Sequence, residues 1–154
     1  MKTQTLILLL VSVLSCKSNK IQEHDSKIKN SEFNLIAKGD LYGAGGEGIA
    51  KQNAVIENQS DWELLMTQMN TTNNVSDSFK ETEIDFSKYA IIAVFSSVKG
   101  NGGNSIELEI STSSEHNTVV AVTYVSSTGY ATNVMTQPFY IAKIAKTKLP
   151  ILFQ

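Results

Sequence analysis

One thiol, two imidazoles and fifteen carboxylates are the groups in this 154-residue chain best suited to attack, to move a proton or to hold a metal ion. The imidazoles belong to His24, in a polar stretch, and His116, in a Ser-Ser-Glu-His-Asn run that reads as a turn; both are expected at the solvated surface. Zinc takes three or four nitrogen and sulfur ligands, which two histidines and one cysteine with another use do not supply. A serine or cysteine nucleophile needs a neighbouring base, most often histidine. Carboxylates remain, with Glu47, Asp85 and Glu107 as candidates for acid–base work on a small substrate, although no acidic pair stands out.

Three glycine-containing segments come next. Gly43-Ala44-Gly45-Gly46-Glu47-Gly48 matches the G-x-G-x-x-G string of dinucleotide sites. That string works where its last glycine opens a helix facing the pyrophosphate, whereas residues 49–56 here look like a strand. A glycine-rich hairpin or loop is expected instead, and no nucleotide or other cofactor. Gly100-Asn101-Gly102-Gly103-Asn104 lies between two apolar runs and reads as a hairpin turn, Asn and Gly supplying left-handed residues. Its side-chain-poor backbone, around Gly102, Gly103 and Asn104, could also approach a partner closely. The third segment holds Gly129 and Tyr130, followed by Pro138 and Phe139. An aromatic in a polar loop is either packed or an exposed anchor of the kind found at binding hot spots.

Cys16 follows Lys2 and an apolar stretch, Leu6 to Leu14, interrupted by one serine. These are the parts of a secretory signal, too short to span a bilayer, which takes roughly 20 residues. The end of the run, Val13-Leu14-Ser15-Cys16, resembles the lipobox of bacterial lipoproteins, in which the cysteine is acylated and becomes the first mature residue. A membrane anchor through lipid on Cys16 is therefore expected. Lys17 and Ser18 follow with no acidic run behind them, which points to the outer membrane, facing the periplasm.

Removing residues 1–15 leaves 139 residues, one domain's worth, with 12 lysines against 15 carboxylates. Every basic residue is lysine, and arginine's bidentate fork, the usual reader of phosphate and guanine, is missing; no nucleic acid is expected as partner. Residues 16–32 carry mixed charge and few apolar side chains, a flexible tether with a reach of roughly 20 to 24 Å.

A single domain is expected over residues 33–154. Strands are read at 33–38, 49–57, 89–95, 105–111, 118–125, 139–144 and 149–153. The run 89–95 is nearly all apolar, as in a central strand covered on both faces. In 105–111, Ile106, Leu108 and Ile110 alternate with glutamates that face water. Ser60 and Glu63 fit a capping box before a helix whose Trp62, Leu65, Met66 and Met69 form one apolar stripe. Residues 70–82 read as a long polar loop. The class is α+β, one amphipathic helix on a mostly antiparallel sheet, open or closed into a barrel.

Ile84-Asp85-Phe86 before the strand 89–95, the glycine turn leading into Ile106-Glu107-Leu108-Glu109-Ile110, and the closing Thr136-Gln137-Pro138-Phe139-Tyr140-Ile141 together resemble the C-terminal domain of PrcB-type protease-complex subunits. The resemblance covers residues 84–145. It implies a non-catalytic lipoprotein subunit that holds a secreted serine protease or another envelope protein. This chain departs from the family in its turn, Asn101-Gly102-Gly103-Asn104 in place of Thr-Gly-Gly-Tyr, and in Thr128-Gly129, where proline often precedes the glycine. Two alternatives stand beside it: a protease inhibitor presenting a glycine loop and a Pro-aromatic loop, and a carboxylate-dependent enzyme.

Overall fold

The computed structural model describes residues 25–27, 33–113, 116–129 and 131–154. Its strands are β1 (Asp25–Lys27), β2 (Phe33–Leu41), β3 (Gln52–Ile56), β4 (Tyr89–Phe95), β5 (Ser105–Ser113), β6 (Asn117–Val125), β7 (Gln137–Ala145) and β8 (Ile151–Phe153). The helix α1 (Gln59–Met69) follows β3, and a single 3-10 turn, Val75–Ser78, precedes β4. One sheet has the order β1-β5-β6-β8 and the other β2-β7-β4-β3; all pairings are antiparallel except β6 with β8. The α+β class with one helix is what the sequence implies. Closure into a barrel is not seen: the two sheets stay separate.

The reason lies in the connections. β4 pairs with β7 and β3, not with its successor β5, and β6 pairs with β5 and β8, not with its successor β7. The chain crosses between sheets at residues 96–104 and again at 126–136. The glycine turn at 100–104, expected to be a hairpin, is thus an intersheet crossover. Likewise β2 and β3 border the same sheet on opposite sides, so residues 42–51 cross its end instead of forming a hairpin.

Side-chain alternation builds three layers. Ala90, Ile92 and Val94 of β4, with Tyr140, Ala142 and Ile144 of β7, face Ile106, Ile110 and Val120 of the first sheet. Ile91, Ala93 and Phe95, with Phe139 and Ile141, face the opposite way, toward Trp62, Leu65 and Met69 of α1. β4 is therefore covered on both faces, and its six residues after Tyr89 are buried. In β5, Ile106 and Ile110 point inward while Glu107 and Glu109 are exposed.

The helix begins two residues earlier than the capping-box reading. Asn58 is the N-cap, its Oδ1 accepting from the Asp61 amide at 3.0 Å. Ser60 lies inside the first turn, and Glu63 accepts from Gln59 Nε2 at 2.8 Å instead of reaching back to the backbone. Asn caps a helix as well as Ser does. Trp62 is fully buried, donates through Nε1 to the Thr82 carbonyl at 2.8 Å and stacks on Phe79. Residues 70–82 are more ordered than a plain loop. The Asn70 side chain both accepts from the Ser76 amide and donates to its hydroxyl, shaping the 3-10 turn, and Phe79 drops against the core.

Asp25–Lys27, within the segment expected to be a tether, pairs with Ser111–Ser113 as β1; three backbone pairings need no apolar side chains. Residues 1–24, with Cys16 and the signal segment, lie outside the described residues.

Candidate functional site

Three connections meet at one end of the sandwich: residues 42–51, 96–104 and 126–136. β2, β4 and β6 finish there, and β3, β5 and β7 start there. All three glycine segments singled out by sequence are thus on a common face of the molecule.

The loops are tied to one another. Lys99 and Thr136 exchange backbone hydrogen bonds at 2.7 and 3.0 Å, and the Gly102 amide donates to the Thr132 carbonyl at 3.0 Å. Asn104 braces the second and third loops, its Nδ2 donating to the Asn101 carbonyl and its Oδ1 accepting from the Ser127 amide. Gln137, buried at the start of β7, donates from Nε2 to the carbonyls of Ile49 at 2.7 Å and Ser96 at 2.9 Å. One amide thereby fastens two loops to the sheet, while its own Oε1 has no partner.

The first loop is folded around a carboxylate. Glu47 is 3% exposed, and its Oε1 accepts from the Gly43 amide at 2.9 Å. A Cβ on Gly43 would fall 2.4 Å from that oxygen, so only glycine leaves room for the carboxylate. Gly46 and Gly48 donate to the carbonyls of Gly43 and Gly45 in two successive turns, with Gly45 and Gly48 in the left-handed region. The loop rests on the end of α1, where Gln68 Nε2 donates to the Gly48 carbonyl at 3.2 Å. No helix follows Gly48; irregular residues and then β3 do, which is not the geometry a pyrophosphate needs.

The residues expected to meet a partner divide sharply. Gly103 and Gly129 are exposed, both with positive φ, at 79° and 89°. Asn104 is half-buried and occupied as a brace. Gly102 is buried beneath Thr132 and Val134, and a Cβ there would meet Thr132 Oγ1 at 2.5 Å. Pro138 and Phe139 are a correction as contact residues: Phe139, read as the start of a strand, stands in β7 together with Pro138, and both are buried, Phe139 packing against Phe95 and Phe79. A Pro-aromatic loop of the inhibitor kind is thus not what these two residues form. Tyr130 lies outside the described residues.

What sequence reasoning missed is apolar. Seven large hydrophobic side chains are exposed among the described residues, and five of them, Tyr42, Tyr124, Val125, Val134 and Met135, are at this end. Tyr42 is 61% exposed and Met135 49%. Leu41 pairs with Gln137 on the last rung of the β2–β7 ladder, so Tyr42 directly follows β2, and Val134 and Met135 lie just before β7. Near the start of β3, Lys51 sits over the Tyr124 ring at 4.5 Å, and burial raises the Tyr124 phenol above its ordinary value. Apolar residues at strand ends and in the loop before a strand, Tyr42 after β2, Tyr124 and Val125 closing β6 and Val134 and Met135 ahead of β7, are the signal that could have found them.

The three candidate carboxylates are placed apart. Glu47 is enclosed in the first loop; Glu107, on exposed β5, pairs with Lys38 of β2 at 3.0 Å. Asp85 is at the opposite end, before β4, where the Ser87 hydroxyl and then Lys88 hold its carboxyl at about 2. Between β2 and β5 a cleft of about 220 Å³ is lined by Lys38, Gly39, Asn104, Ser105, Ile106 and Phe139. This is below the roughly 300 Å³ at which small-molecule sites begin. Among the described residues no three His, Cys, Asp or Glu gather around a common point for a metal ion, and no helix is long and apolar enough to cross a membrane.

Comparison of the chain with protein-family models, with curated proteins and with solved structures finds no match.

Proposed function

We propose that this chain is a lipid-anchored, non-catalytic holding module that grips another envelope protein with its three-loop end, as an accessory subunit of a protease complex. The observation that carries the reading is the gathering of exposed Tyr42, Tyr124, Val125, Val134 and Met135 at one end of a β-sandwich whose loops are braced from beneath. Tyrosine and methionine are enriched where proteins meet. A braced surface also loses little conformational freedom when a partner arrives. The resemblance of residues 84–145 to PrcB-type subunits supplies the class of partner, and the Val13-Leu14-Ser15-Cys16 segment the anchor. Outer membrane, facing the periplasm, is the location proposed.

The test is recovery from mildly solubilised membranes with the full-length chain as bait. A secreted protease or other envelope protein is expected with the wild type, and its recovery should fall at least about tenfold with Tyr42→Asp or Met135→Asp, since hot-spot truncations cost 2 kcal/mol or more. Leu64→Asp, on the outer face of α1, should leave it unchanged. Equal recovery with all three variants contradicts the reading. A partner protease whose turnover falls on binding would make the chain an inhibitor instead.

A further inference from the structure

The second sheet ends on β3, and this border is built unlike the others. β2, at the opposite border, has a bulge between Leu35 and Ala37, carries Lys38 and Asp40, and gives its Ile36 carbonyl to the Lys80 amide. The borders of the first sheet, β1 and β8, are three residues each. Bulges, charges, coverage and shortness all keep sheet edges from pairing with other chains. β3 has five residues, Gln-Asn-Ala-Val-Ile, with no charge, no proline and an unbroken register against β4. Among the described residues no backbone hydrogen bond reaches it from any element but β4. Charge appears only at its flanks, Lys51 before it and Glu57 after it, both exposed.

We propose that β3 is the interface of a two-fold dimer, in which the β3 strands of two copies pair antiparallel about Ala54 and join the two second sheets into one. This pairing sets Ala54 against Ala54, Asn53 against Val55 and Gln52 against Ile56. It also sets Lys51 of each copy against Glu57 of the other, so that two opposite-charge pairs close the interface at its ends. Faces agree as well. Directly opposed residues project to the same side of a sheet, and Val55 packs toward the first sheet, the side on which the Tyr124 hydroxyl reaches Asn53 at 3.3 Å. By alternation Lys51 and Glu57 belong to that side. Centring the pair on Asn53 or Val55 would separate the charges, so they specify register as well as partner. Glu57 has no ion-pair partner among the described residues, and Lys51 is engaged only by the face of Tyr124. The occupant that meets these charges best is a second copy of the same strand. Five residues make a small contact, weak in dilute solution and favoured where an anchor confines the chains to a surface.

The experiment is oxidative crosslinking of the full-length chain in its own membrane. Directly opposed Cα atoms are about 4.5–5.5 Å apart, within the span of a disulfide. Ala54→Cys is expected to give a covalent dimer at least about tenfold above Asn53→Cys, whose thiols would be diagonal to each other and out of reach. The unsubstituted chain reports any product formed through Cys16. In a second arm, Lys51→Glu should weaken dimerisation about tenfold in sedimentation of the detergent-solubilised chain, two attractive pairs becoming repulsive. Lys51→Glu with Glu57→Lys should restore it, with circular dichroism confirming the fold of each variant. Equal dimer yields at positions 53 and 54, an adduct to a different protein in place of the dimer, or charge variants that behave alike would overturn the proposal. None of these outcomes depends on whether the loop end holds a partner.

Discussion

At the scale of single residues, the loop end stands on buried polar groups that nothing in the sequence marks. Gln137 is a lone glutamine opening a mostly apolar strand, yet it satisfies two buried carbonyls, Ile49 and Ser96. Gln137→Met keeps the volume and orphans both. The expected cost is about 2 to 4 kcal/mol, read as a lower denaturant midpoint at unchanged slope. Asp40, at the end of β2, works in the other direction. Burial raises its carboxyl above the ordinary 3.8, with the Thr136 hydroxyl opposing, and its Oδ1 is unpartnered. A carboxyl raised on folding destabilises the native state above its folded value, and this penalty disappears as pH falls below the unfolded value. Asp40→Asn should therefore raise the melting temperature at pH 7, and the gain should vanish below about pH 3.8. A gain that persists into acid would mean that ionisation of Asp40 is not its source. Glycine content and aromaticity mark the candidate partner residues in the sequence, and of these Gly103 and Gly129 are at the surface, whereas Gly102 is roofed by Thr132 and Pro138 and Phe139 are buried in β7. Such burial is set by contacts distant in the chain.

At the scale of elements, what was legible followed from periodicity. The all-apolar run became a strand covered on both faces, the Ile106 and Ile110 alternation became a half-exposed strand, and the Trp62, Leu65, Met69 stripe became the buried face of α1. What was not legible was pairing. Links between successive strands ordinarily mean hairpins, and here two of them change sheets, because β4 is flanked by β7 and β3, and β7 by β4 and β2, which leaves no place beside them for β5 or β6. The helix start shows the same limit at smaller range. Ser60 with Glu63 and Asn58 with Asp61 both satisfy the cap pattern, and the structure uses the second. Asn58→Ala should lower stability by about 1 kcal/mol, whereas Ser60→Ala should stay within about 0.5 kcal/mol of wild type in chemical denaturation. The reverse order would return the cap to Ser60.

At the scale of the whole molecule, the two ends of the sandwich differ in kind. One carries exposed polar links: Lys88 with Asp85, and Lys146 Nζ donating to the Phe86 carbonyl. The other gathers three crossing loops, braced beneath and apolar on top. A rigid scaffold presenting locally adaptable loops is how proteins commonly organise recognition, and the carboxylates that chemistry would need are scattered over the fold. In the function proposed, the anchor fixes the place and the domain makes the contact. Photocrosslinking in living cells is the most direct measurement: a photoreactive residue is placed at position 42 or 135 of the full-length chain, and another at position 64 on the outer face of α1. A single envelope protein captured from both 42 and 135 and not from 64 is the predicted result. Capture from 64 alone, or the same products from all three positions, would contradict a holding surface at the loop end.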